Sequence, residues 1–120
     1  MISYNKVTLI GNLTHDPVLK ELNSDGTLCC FSIAVNSKHK EKVETNYIDI
    51  DAWGELGKNC SQYLKKGRLV LVEGRLKLKK WKNSNQENCS RLIVVANLVQ
   101  FLDRNEHEPM EIKDDTEENN

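Results

Sequence analysis

Polarity in this chain changes at every second residue over most of its length, and that period limits the fold more than any other property of the sequence. Successive side chains of an extended strand point to opposite faces, so a period of two lets one face be buried while the other stays wet. Residues 27–36 show the pattern: Cys29, Phe31, Ile33 and Val35 form an apolar face, and Cys30, Ser32, Ala34 and Asn36 a smaller, more polar one. In residues 45–53, Ile48, Ile50 and Ala52 alternate with Tyr47, Asp49, Asp51 and Trp53. Residues 68–82 open on Leu69-Val70-Leu71-Val72, apolar on both faces; after Gly74, Leu76 and Leu78 alternate with Arg75, Lys77, Lys79 and Trp81. Residues 90–101 set Leu92, Val94 and Ala96 against Ile93 and Val95. A β-branched segment at 5–13, bounded by Gly11 and Asn12, predicts a further strand that bends near the glycine.

One stretch departs from that period. Leu56, Cys60, Tyr63 and Leu64 recur at i, i+4, i+7 and i+8, which marks one face of a short helix over 55–66. Lys65 and Lys66 suit the negative end of its dipole, and Gly67 suits the C′ position. Turns are expected at Asp16-Pro17, at 23–26 and at 83–88, and the polar residues 37–44 read as a mobile, cationic hairpin tip or loop. The resulting order is β-β-β-α-β-β. It predicts a mainly-β fold with one short helix: an OB-fold, a five-stranded Greek-key barrel with the helix between strands three and four. Closing the sheet removes most of the exposed edges that endanger a small β domain.

The chain has 120 residues, enough for one domain, which we place at 1–104. Its net charge of −1 conceals a division. Residues 103–120 hold eight acids and two bases, a net of −6, while residues 1–102 hold fifteen bases and ten acids, a net of +5. A basic body can bind a polyanion, and an acidic tail can compete for that surface or engage a basic partner. The tail, 105–120, is expected to be disordered. Cys29, Cys30, Cys60 and Cys89 form no C-x-x-C pair, and His15, His39 and His107 add no ligand spacing, so neither a metal site nor a cofactor is expected. The N-terminus shows no leader pattern and no apolar run is long enough to cross a bilayer, which predicts a cytoplasmic protein without membrane contact.

Unpaired nucleic acid offers two handles, phosphate charge and exposed base faces, and a binder indifferent to sequence needs cations and flat aromatics side by side. The fourth strand supplies both, in Arg75, Lys77, Lys79, Lys80, Trp81 and Lys82. The third strand adds Tyr47 and Trp53 on one face, and the cationic loop adds Lys38 and Lys40. No arrangement of residues suggests a catalytic role. Asp49, Asp51 and Glu73 are the strongest nuclease-like set, since Asp-x-Asp places two carboxylates on one face of a strand, but no further group completes the chemistry.

These residues fall in a pattern that resembles the bacterial single-stranded DNA-binding proteins. The resemblance rests on residues 5–13 followed by Asp16-Pro17, on Phe31-Ser32-Ile33-Ala34, on Trp53-Gly54-Glu55-Leu56, on Tyr63-Leu64-Lys65-Lys66-Gly67, and on Val72-Glu73-Gly74-Arg75-Leu76 through Lys80-Trp81, all in order. It implies an OB-fold, a homotetramer, and unpaired DNA wrapped over the assembly during replication, recombination and repair in a nucleoid-associated setting. It implies stacking aromatics at Tyr47, Trp53 and Trp81, and Lys6, Arg75, Lys77 and Lys79 near the DNA path. His39 and Tyr47 stand where the family often has tryptophan, Ile48 where a histidine is common at the subunit contact, and Asp49 or Asp51 at a position often basic. The resemblance also implies replication and repair proteins as partners of the acidic tail, although the apolar tip with Pro and Phe common in family tails is absent from 114–120. An RNA-binding OB module and a replication-accessory subunit with weak DNA binding are the alternatives.

Overall fold

A computed structural model describes residues 1–102 and 111–113. Strands β1 (Val7–Leu13), β2 (Val18–Leu22), β3 (Gly26–His39) and β4 (Lys42–Trp53) precede helix α1 (Gly54–Tyr63). Strands β5 (Leu69–Lys82), β6 (Asn88–Phe101) and β7 (Glu111–Lys113) follow it. The strands form one sheet in the order β1-β5-β6-β4-β3-β2, and β1 also pairs with β3, which closes five of them into a barrel. With the helix after β4, this is the expected OB-fold.

Closure depends on a missing side chain. β1 runs antiparallel to β5 from Val7↔Gly74 to Asn12↔Leu69, then meets β3 through Asn12↔Ala34 and Leu13↔Ile33. A Cβ on Gly11 would lie 2.5 Å from the carbonyl oxygen of Ala34, so only glycine lets the two backbones cross this closely. The glycine that the sequence marks as a bend is the barrel's seam.

The alternation places the core as predicted. Phe31, Ile33, Ile50, Ala52, Val70, Val72, Val94 and Val99 pack inside the barrel, with Leu56 and Cys60 of α1 and the following Leu64. Burial pushes the Cys29 thiol up from 9.0 to about 12 and raises that of Cys60 further, so both stay protonated.

Local details differ from or refine the expectations. The helix stops at Tyr63 because Leu64 turns extended, with its N–H still donating to the Cys60 carbonyl at 2.9 Å. Lys65 and Lys66 therefore lie beyond the helix, where the Lys66 N–H donates to Asp16 Oδ1 at 2.9 Å. Of the two readings for residues 37–44, the hairpin tip is the one found, a ribbon with Ser37↔Glu44, Lys38↔Val43 and His39↔Lys42 paired around Lys40-Glu41. Val18–Leu22 form a strand beside β3 that the sequence reading left unassigned. Residues 111–113 pair with β6 at Leu98–Gln100, and the rest of the tail expected to be disordered, 105–110 and 114–120, lies outside the described residues. The described pairing of β4 with β6 is at Val94 and Val95, so the backbone edge of β6 farther along can accept another strand.

Candidate nucleic-acid interface

β5 and β6 pair from Val70↔Phe101 to Lys82↔Asn88, with an irregularity at Glu73/Gly74. Beyond Lys77↔Ile93 the two strands become a hairpin that outruns the core. Its turn is built by Asn83, whose Oδ1 accepts from the N–H groups of Asn85 at 2.9 Å and Glu87 at 3.0 Å. At its base, Asn5 grips Leu76 by both backbone groups, each at 2.8 Å, in place of a strand partner.

Cross-strand pairs share a face, so Lys77 stands with Ile93, Lys79 with Arg91 and Trp81 with Cys89. The opposite face carries Leu76, Leu78 and Leu92, all exposed, together with Lys80 and Lys82. Lys82 therefore lies on the other side of the ribbon from Trp81, although the sequence reading groups them.

The cationic face meets the outer face of β4. Lys79 Nζ lies 3.5 Å from Asp51 Oδ2, and Arg91 Nε lies 3.1 Å from Asp49 Oδ2. The Ser32 hydroxyl donates to the other oxygen of Asp49. These pairs answer the question posed by two acids on a face expected to meet phosphate: each is matched to a cation of the β5–β6 hairpin. Asp51 is buried, and burial followed by the charge of Asp51 pushes the neighbouring Cys30 thiol up. Asp49, Asp51, Lys79 and Arg91 line a cleft of about 270 Å³ with His15, Lys20 and others.

The aromatics divide by position. Tyr47, at 72% exposure, and Trp81, at 42%, present their rings to solvent. Trp53 is half-buried at the end of β4, opposite Leu28. Of the expected cations, Lys6 and Arg75 share a second cleft, where Lys6 Nζ is 2.9 Å from Glu73 Oε1. Lys38 and Lys40 lie apart at the tip of the β3–β4 ribbon. The carboxylates of the nuclease-like set point to three different cations, and among the described residues no group of three or more His, Cys, Asp or Glu side chains could hold a metal ion.

Sequence reasoning missed Arg91. Its signal was present in the hairpin register: a turn over 83–87 sets residue 91 opposite residue 79, so the face bearing Lys79 had to continue onto β6. Ser32 and Lys20 were missed as well: Ser32 stands opposite Asp49 in the β3–β4 register, and Lys20 lies on β2, which the sequence did not mark as a strand.

Residues 4–102 match the Single-strand binding protein family. The chain belongs to that family. Similar family members include the single-stranded DNA-binding protein of Treponema pallidum (strain Nichols), 41% identical over 106 residues that cover 85% of this chain and 60% of that one. The protein of the same description from Wolinella succinogenes is 38% identical over 105 residues, covering 83% and 65%. Single-stranded DNA-binding protein 2 of Chlorobaculum tepidum is 37% identical over 131 residues, covering 98% and 87%. The chain thus spans less than two thirds of the Treponema and Wolinella proteins. Among solved structures it is similar to the Plasmodium falciparum SSB complex with ssDNA, with a TM-score of 0.77 and 28% identity, covering 86% of this chain and 98% of that one.

Proposed function

We propose that this chain binds and protects single-stranded DNA without strong sequence preference, and that it does so by binding alone. The observation that carries the reading is the exposure of Tyr47 and Trp81 on strands whose outer faces are tied together by Lys79 and Arg91. Rings left open to solvent offer bases a stacking surface worth about 1–3 kcal/mol per base, largely independent of base identity. Tyr47, Trp53 and Trp81 are the stacking residues of this reading. Lys6, Lys38, Lys40, Arg75, Lys77, Lys79 and Lys82 contact the backbone, and binding weakens as salt rises because counterions are released. Family membership and the match to a DNA-bound neighbour support it.

The same reading assigns a homotetramer, a cytoplasmic, nucleoid-associated location, a role in replication, recombination and repair, and an OB domain at 1–104 followed by an acidic segment that engages partner proteins. Among the described residues no helix is long and apolar enough to cross a membrane. One observation favours a second reading, that of an accessory subunit with weak DNA binding: Asp49 and Asp51 already occupy two cations of the face.

Titration of tryptophan fluorescence with oligo(dT) across salt, paired with a solution mass, tests both. Saturable quenching that weakens with salt supports the DNA reading. Absence of quenching even at low salt supports the accessory reading. The mass decides the tetramer.

A further inference from the structure

Trp81 is not an isolated ring on a hairpin. The guanidinium carbon of Arg91 lies 5.4 Å from its centroid. The same guanidinium is anchored at Nε by Asp49, 3.1 Å away, and Asp49 is anchored in turn by the Ser32 hydroxyl. Four side chains from β3, β4, β6 and β5 thus form a continuous series that ends on the aromatic. The ring also borders a depression of about 520 Å³ that Arg91 does not line, formed with Lys80, Lys82, Asn88, Cys89 and Ser90.

We propose that Arg91 is a positioning residue for base stacking: it covers one side of the Trp81 ring, fixes its orientation, and leaves the other side to receive a base. This rests on the single-stranded DNA reading above. The planar guanidinium is suited to the task because it lies flat on an aromatic while its N–H groups remain directed at a carboxylate. Asp49 also changes what Arg91 can do. With its Nε held by Asp49 and its guanidinium carbon over the indole, Arg91 is committed to the ring in a way the lysines are not, so its effect on DNA runs through Trp81. A half-exposed tryptophan on a two-stranded projection would otherwise have to be ordered at the moment of binding. Ordering it beforehand strengthens binding about two- to tenfold.

Arg91→Ala, Arg91→Lys, Trp81→Ala and the double variant Arg91→Ala/Trp81→Ala are titrated with oligo(dT) over a range of salt. Both single changes at Arg91 are expected to weaken binding about two- to tenfold with the wild-type salt slope retained, since lysine keeps the charge but does not lie flat. In the Trp81→Ala background, Arg91→Ala adds nothing. The proposal is overturned if Arg91→Ala lowers the salt slope by about one unit and its loss persists without Trp81, which marks a direct phosphate contact. Full rescue by lysine overturns it too. A DNA-free arm uses Trp53→Phe, which leaves Trp81 as the reporter: its fluorescence anisotropy should gain a fast component when Arg91 becomes alanine. An unchanged decay overturns the positioning role whether or not DNA binds, whereas failure of the wild-type chain to bind oligo(dT) removes the DNA reading instead.

Discussion

β5 changes character at its midpoint. From Leu69 to Gly74 every second residue is buried, and Val70 and Val72 are wholly enclosed. From Arg75 to Lys82 no residue is buried, though the pairing with β6 resumes past the irregularity at Glu73/Gly74 and runs on to Lys82↔Asn88. Backbone geometry is shared by the two halves; what differs is whether a second layer stands behind the strand. The first half holds the barrel together. The second is a platform freed from the demands of the core, so its side chains are available to a ligand. Even its leucines remain exposed, because the hairpin has left the barrel behind.

The sharpest way to break this comparison is at the boundary. A Cβ at Gly74 would sit 2.1 Å from the Val95 carbonyl oxygen, so Gly74→Ala should cost about 3 kcal/mol or more in urea unfolding, at the top of the overpacking range. Val72→Ala, in the enclosed half, should cost about 2 kcal/mol from two buried methyl groups and the cavity they leave. Leu78→Ala, in the exposed half, should cost under about 1 kcal/mol, and a larger loss would mean that the platform has its own hidden support. Trp81→Ala reverses the order of effects: unfolding should barely change, while oligo(dT) binding weakens by about 1–3 kcal/mol. Lys77→Ala should flatten the salt dependence by about one unit across all base compositions.

A further effect is one of pH, and it belongs to the barrel alone. The folded Cys29 thiol holds its proton up to about 12, against 9.0 when exposed. The unfolded chain releases that proton first, so the stabilisation is complete below pH 9 and declines as pH rises toward the folded value. Urea midpoints at about pH 8 and about pH 10 should therefore differ less in Cys29→Ala than in the wild-type chain. An equal decline in both would assign it to other groups.

How much could be read beforehand follows the same division. The core faces of β3, β4 and β5 were legible because burial writes a period of two into Phe31, Ile33, Ile50 and Val72. Val18–Leu22 escaped because its side chains are mostly exposed, so its pairing with β3 leaves no apolar face in the sequence. The ribbon through Lys38 and Lys42 could be read only as a hairpin tip or a loop, since alternating charges carry no sign of an inside and an outside. In the candidate site, Tyr47, Lys79 and Trp81 announced themselves by residue type. Arg91 did not, because its role depends on Asp49 of another strand, and that meeting is arranged only when the sheet curls.

The clasp of Asn5 on Leu76 joins positions 71 residues apart. A ribosome adding about 5–20 residues per second leaves the first strand without that partner for several seconds. Through this interval β1 lacks its β5 partner and can stick to neighbours, so chaperone dependence during synthesis should fall on that strand.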